Sequence, residues 1–257
     1  MKIIKIQKMS NNKYKIILDN DTLVTFDNVI LKYNLLYKKE LTKEELNEIN
    51  KESNYYDAYN KALKFSTNKV RCKTEVEKYI NRFILTDKEK TNIVNRLKEL
   101  NIINDEIYCR TFISDKIHLS KYGKGKIKNM LLKQNIDINI INNELDKIDI
   151  EELNFNLENK VKKKIQSNHK YSNYELRNKL VNYFMNEGYD KEKIIYYIDR
   201  YQKDDTSILE KEFDKLYYKC KNKYDSKTLE MKIKQKLTQK GFPIDLINHL
   251  LQEKTEE

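Results

Sequence analysis

Four glycines and one proline are all that 257 residues contain, and two of those glycines sit in the same kind of phrase. "LTQKGFPIDLINHLL" (residues 237–251) passes through Gly241 and Pro243 into Ile244, Ile247, Leu250 and Leu251. Gly241 can end a helix in the left-handed conformation without a Cβ penalty. Pro243 has the φ of a first helical turn, and the apolar residues after it share one helical face. "NEGYDKEKIIYYI" (186–198) puts Gly188 six residues before Ile194, as Gly241 stands six before Ile247. "KQNIDINIINNEL" (133–145) puts Asn135, the second choice for such a cap, six before Ile141. The steps from 135 to 188 and from 188 to 241 are both 53 residues. A looser copy, "NRFILTDKEKTNIVNRL" (81–97), has no glycine but keeps the helix start, with Thr86 and Glu89 spaced as a capping box. A phrase recurring at this interval means an internal helical repeat.

From about Tyr55 onward the pattern is helix in threes. The first helix of a unit is long, with a four-residue step in Leu153, Leu157, Val161 and Ile165, and again in Leu209, Phe213 and Tyr217. The second ends at the cap, as Ile127 and Leu131 before Asn135 or Ile233 and Leu237 before Gly241, and the third follows it. Ser172 with Glu175 has capping-box spacing at another helix start. The expected units are 54–103, 104–150, 151–202 and 203–257, the last with a tail. Their Ile, Leu, Tyr and Phe stripes read as packing residues. Residues 1–53 differ. "KIIKIQKM", "KYKIIL" and "DTLVTF" are β-branched runs separated by the turn signals "SNN" and "DND", a three-stranded meander. Asp27 is the expected N-cap of a helix over 27–35, and "LTKEELNEINKE" (41–52) a short acidic helix. With 35% charged residues and a mean hydropathy of −0.85, the chain is polar for one globular core but ordinary for an elongated stack. The expected fold is mainly α: tandem three-helix repeats in an elongated array behind a small N-terminal β-containing unit.

Several function classes find no support. No apolar run approaches the roughly 18 residues of a membrane span, and "MKIIKIQKMSNNKYKI" does not read as a signal peptide. Cys72, Cys109 and Cys220 are odd in number and far apart, fitting a reduced cytoplasmic protein. There is no P-loop, dinucleotide fingerprint or His-Glu metal helix. His118, His169 and His249 are isolated, whereas metal or nucleophilic chemistry needs convergent ligands or a nucleophile–base pair. The expectation is a non-enzymatic protein with no cofactor, no metal and no catalytic residue.

The net charge of +11 is unevenly distributed. Residues 134–257 carry 23 basic and 23 acidic residues, whereas residues 61–133 carry 18 against 8. A localised basic field suits a polyanion or an acidic protein surface. Two stretches concentrate it. "ALKFSTNKVRCKTEVEKYI" (62–80) has Lys69, Arg71 and Lys73 between two helices, and "NIINDEIYCRTFISDKIHLSKYGKGKIKNMLL" (101–132) has Arg110, Lys121, Lys124 and Lys126 around Gly123 and Gly125. These seven cations are the candidate binding residues. The paired glycines fit either a tight interhelix turn or a place where backbone meets a partner.

These stretches resemble the RecX family, regulators of the RecA recombinase. The family pattern of Ala-Leu followed by Arg-x-Arg-Ser-x-x-Glu-Val/Leu is matched by Ala62, Leu63, Lys69, Arg71, Cys72, Glu75 and Val76. A second signature, Gly-Leu/Ile-Ile-Asp/Asn-Asp-Glu-x-Tyr/Phe-Ala, is matched by Asn101, Ile102, Ile103, Asn104, Asp105, Glu106, Tyr108 and Cys109. A Lys-Gly-x-x-x-Ile element follows in Gly123, Gly125 and Ile127. Departures are Lys69 for Arg, Cys72 for the capping Ser, Asn101 for Gly and Cys109 for Ala. The resemblance implies a curved array lying in the groove of the RecA filament on single-stranded DNA. There it would modulate, by inhibition, recombinase and ATPase activity in recombination and DNA repair. The chain is expected to be a cytoplasmic monomer with no membrane partner, and direct DNA binding can coexist with this reading. A stand-alone nucleic-acid-binding helical repeat and a generic protein-interaction scaffold stay open beside it.

Overall fold

The computed structural model describes residues 1–10 and 12–256. Asn11, in the middle of the first expected turn, and Glu257, at the end of the last expected unit, lie outside the described residues. Among those residues the chain forms three strands and thirteen helices, in two compact units: residues 1–111 with 134–140, and residues 112–133 with 141–257.

The first unit begins with β1 (Ile3–Lys8), β2 (Lys13–Leu18) and β3 (Thr22–Phe26), an antiparallel meander in the order β1-β2-β3. Ile6, Ile16 and Leu23 are register partners on the inner face, and α1 (Asp27–Lys32) and α2 (Lys43–Thr67) cover that face with Val29, Ile30, Leu46 and Ile49. Asp27 is the first residue of α1 rather than its cap. Phe26 holds the cap position without a side-chain bond, because the chain turns straight from β3 into helix. The short acidic helix expected over 41–52 is the first part of α2, a single 25-residue helix. It does not break because its polar middle is used. Buried Ser53 donates to the Ile49 carbonyl and shares a 2.7 Å hydrogen bond with Thr25 of β3. Thr42 and Glu45 form the capping box that starts it.

α3 (Lys73–Ile80) and α4 (Asp87–Glu99) close on α2 around Ala58, Ala62, Val76, Ile80, Ile93 and Leu97. Thr86 and Glu89 make the reciprocal capping box that their spacing predicts. α5 (Asp105–His118) and α7 (Ile138–Asp146) are each divided between the two units, and α6 (Lys124–Leu132) belongs to the second.

In the second unit, α8 (Ile150–Gln166), α9 (Asn173–Asn186) and α10 (Lys191–Tyr201) bury Leu157, Val161, Leu180, Phe184, Ile194 and Ile198. α11 (Thr206–Cys220), α12 (Ser226–Gln239) and α13 (Ile244–Glu256) repeat the arrangement with Leu209, Phe213, Ile233, Leu237, Ile247 and Leu250. The three cap positions are left-handed as expected: Asn135 at φ 55°, Gly188 at 86° and Gly241 at 81°. Asn101, after α4, is the same at 55°. Pro243 stands just before α13, its carbonyl accepting from the Ile247 N–H at 3.1 Å, one residue earlier than a first-turn proline. Tyr217 and Ile244 lie at the exposed margins of their stripes. Ser172 caps α9 by accepting from the Glu175 N–H, and its hydroxyl donates to the Lys240 carbonyl.

Candidate partner-binding surface

The cationic turn between α2 and α3 is ordered from beneath. Phe65, near the end of α2, stacks on Tyr79 of α3 with ring centroids 4.2 Å apart and planes 2° from parallel. The Arg71 guanidinium lies 4.2 Å over the Phe65 ring, and its Nη1 is 3.5 Å from Glu75. Such a guanidinium is held flat by cation–π and ion-pair contacts rather than swinging in solvent. Lys69 is exposed in the turn. Lys73 opens α3 exposed, pairs with Glu77 at 3.4 Å, and donates its backbone N–H to Asp105 at the start of α5. Arg110 is exposed on the same α5. Cys72 occupies the N-cap with extended backbone and no side-chain cap bond. Burial pushes its thiol above the ordinary range, and burial likewise raises the neighbouring Tyr108 hydroxyl.

The second cationic stretch surrounds a three-glycine junction. The Gly123 N–H donates to the Glu187 carbonyl at 2.8 Å and the Gly125 N–H to the Gly188 carbonyl at 3.0 Å. Donors at the start of α6, which lack partners within their own helix, are thus satisfied by carbonyls at the end of α9. A Cβ on Gly123 would lie 2.2 Å from the Gly188 carbonyl oxygen, and one on Gly188 would lie 2.1 Å from the Lys126 nitrogen. The close backbone approach that these glycines permit is therefore to the chain's own α9–α10 turn.

The side chains around that junction form one network. Glu187 receives Lys126 at 2.7 Å on one carboxylate oxygen and Lys160 of α8 at 3.1 Å on the other. Lys126 also lies 3.7 Å over the Tyr122 ring. The Lys121 carbonyl accepts from Lys160 at 2.6 Å and from the Tyr189 hydroxyl at 2.8 Å, and Lys121 itself is left-handed at φ 52°. Burial pushes the Glu187 carboxyl upward, but the hydrogen bonds from Lys126 and Lys160 outweigh it and hold the group below its ordinary value. The bond to Glu187 raises Lys126 correspondingly.

The seven candidate cations therefore fall into different conditions. Lys69, Lys73, Arg110 and Lys121 are exposed, Lys124 is half-buried at the start of α6, and Arg71 is fixed against its ring. Lys126 is committed to Glu187 and Tyr122. Sequence spacing groups Lys121, Lys124 and Lys126 on one loop and helix start, and the structure keeps them there. Sequence spacing does not reveal Lys160, Glu187 and Tyr189, which come from other elements, or that Tyr122 of the same loop lies under Lys126. The one available sign was Glu187 itself, the acid directly before a cap glycine. Among the described residues no group of three or more histidine, cysteine or acidic side chains could hold a metal ion.

No family model matches the chain. Full-length relatives do. A regulatory protein RecX of Streptococcus gordonii is 30% identical over 258 residues, covering 98% of this chain and 99% of the relative. The chain belongs to the RecX family. Another regulatory protein RecX, from Oceanobacillus iheyensis, is 24% identical over 265 residues, with 99% and 97% covered. A crystal structure of regulatory protein RecX matches with a TM-score of 0.65 at 18% identity, over 77% of this chain and 98% of that one. RecX from Lactobacillus salivarius gives 0.53 at 23%, over 57% and 96%. These two show the fold. Asn101 has a left-handed backbone at φ 55°, and Cys72 stands at an N-cap that goes without a side-chain bond.

Proposed function

We propose that this protein is a non-enzymatic regulator of RecA that binds the RecA filament on single-stranded DNA and inhibits its recombinase and ATPase activity, in the cytoplasm and as a monomer. The full-length 30% identity to a regulatory protein RecX carries the reading. The basic segment supports it: Lys69, Lys73, Arg110 and Lys121 present cations at the surface, and a nucleoprotein filament is strongly anionic. Arg71 and Lys124 complete the proposed contact set. Lys126 serves it indirectly, by fixing the loop that carries Lys121 and Lys124. The four helical units 54–103, 104–150, 151–202 and 203–257 are the proposed framework on which those loops repeat.

The test is RecA-dependent ATP hydrolysis on single-stranded DNA with and without the protein. The expected outcome is a substoichiometric fall in steady-state hydrolysis, weakened when Lys69, Lys73 and Arg110 are changed together to Glu. Unchanged hydrolysis at equimolar protein, with the protein folded, would rule the proposal out.

A further inference from the structure

Two backbone donors at helix starts are served by carboxylates far along the chain, and in the same way. The Lys73 N–H, at the start of α3, donates to the Asp105 carboxylate at 2.9 Å. The Asn173 N–H, at the start of α9, donates to the Asp205 carboxylate at 2.7 Å. Both pairs are 32 residues apart, and in both the acid stands at the start of the helix two further on, α5 in one case and α11 in the other.

Each acid can reach away because the residue before it serves the local helix. Asn104 accepts from the Glu106 and Ile107 N–H groups at 2.9 and 3.1 Å, and Asp204 accepts from the Thr206 N–H at 3.1 Å. Adjacent polar residues thus divide the task, the first for its own helix and the second for another. The first N–H groups of a helix have no partner within it, and the helix dipole favours a negative charge beside them.

The two assisted helices differ in what else holds them. α9 has Ser172 at its N-cap, accepting from the Glu175 N–H at 3.2 Å. α3 has Cys72 there, with no side-chain cap bond, so its start leans on Asp105. That start is also where the cationic turn ends. Lys73 is its first residue, and Glu75, which pairs with Arg71 at 3.5 Å, lies in its first turn. Fraying of that turn would move Lys73 and the partner of Arg71 together.

We propose that Asp105 is a positioning residue for partner binding: by capping α3 from α5, it fixes the turn that presents Lys69, Arg71 and Lys73. Its carboxylate is engaged by the Lys73 N–H and acts through the turn. Cations already held in one geometry lose less freedom on binding, and a frayed fraction lowers the apparent affinity in proportion. The consequence for binding rests on the filament reading; the capping itself does not.

The experiment has two measurements on the full chain. Amide hydrogen exchange by NMR is expected to show the Lys73 N–H of Asp105→Ala exchanging about ten-fold faster, the factor of one lost hydrogen bond, with the Asn173 N–H unchanged. RecA-dependent ATP hydrolysis on single-stranded DNA is then titrated with each variant. Asp105→Ala is expected to raise the concentration for half-maximal inhibition about five-fold, the factor of one lost cap, with the limiting inhibition unchanged. Adding Cys72→Ser gives α3 a local cap oxygen and should recover at least half of that loss. Asp205→Ala removes the matching bond at α9 and should shift the half-maximal concentration less than half as much. Circular dichroism checks that all the variants fold. Unchanged Lys73 exchange, no recovery in the double variant, or equal losses in Asp105→Ala and Asp205→Ala would overturn the proposal. If the unsubstituted chain leaves hydrolysis unchanged, the filament reading falls instead, and the exchange result alone decides whether Asp105 sets the turn.

Discussion

Gly123 and Gly188 are constrained by different physics although they touch. Gly188 needs its positive φ and also has no room, since a Cβ would lie 2.1 Å from a backbone nitrogen. Gly123 has an ordinary φ of −78° and is constrained by space alone, against the Gly188 carbonyl and the Tyr189 nitrogen. Gly241 has the positive φ, but its nearest neighbour is the Tyr174 ring, a side chain 65% exposed and able to move. Left-handed strain costs roughly 1–2 kcal/mol, and overpacking against unyielding backbone a further 1–3. Gly188→Ala is therefore expected to cost about 3 kcal/mol or more and Gly241→Ala about 1–2 kcal/mol, ranked by urea denaturation. Gly123→Ala should fall nearer Gly188→Ala; if it proves as mild as a surface change, the junction is looser than its hydrogen bonds imply. At the same site Glu187→Gln removes the shared partner of two lysines. A cost of about 1–3 kcal/mol is expected, measured by the same denaturation series.

Among the elements, α3 starts without a side-chain cap bond, as α1, α6 and α11 do. Cys72 has φ −83° and ψ 162°, the extended backbone of an N-cap, and a sulfur that makes no cap bond. Cys72→Ser changes one atom and gives the helix an oxygen acceptor, so a gain of about 0.5–1 kcal/mol is expected. A rise in melting temperature checks it, and a fall would mean that the buried site beside Tyr108 tolerates the hydroxyl less well than the cap needs it. Conversely, Thr86→Ala removes the reciprocal box of α4 and is expected to cost about 1 kcal/mol. α2 shows how tertiary contact overrides local polarity. Asn50, Ser53 and Asn54 suggest a break, yet Ser53 is buried against Thr25 and the helix runs on to Thr67.

For the whole molecule, acid sensitivity should be concentrated in a few carboxylates. Asp57, Glu187 and Glu212 are each pushed upward by burial but held below their ordinary values by two lysines apiece. A carboxyl with a depressed folded pKa contributes stability that is fully present above its unfolded value, about 4.5 for Glu, and is lost as pH falls through the depressed one. The melting temperature should thus be level from neutrality to about pH 5 and decline below it. Glu187→Gln should flatten part of that decline, and an unchanged slope would show that its lysine pairs are screened away.

The order and type of elements were legible from residue 1 onward, because helical repeats are local. Caps at Asn135, Gly188 and Gly241, the Thr86 box and the three β runs each act within a few residues, and the chain shows their consequences directly. The basic residues of the middle segment were legible as composition. What each cation does was not, because that depends on partners distant in sequence. Lys126 meets Glu187 61 residues away, and Lys13 meets Asp57 44 away. The glycines at 123 and 125 read equally as a turn or as a docking point until the carbonyl of Gly188 lay against them. Charge separation in the first 60 residues was invisible for the same reason. A linear count averages the lysines of the strands with carboxylates that lie in the turns and helices.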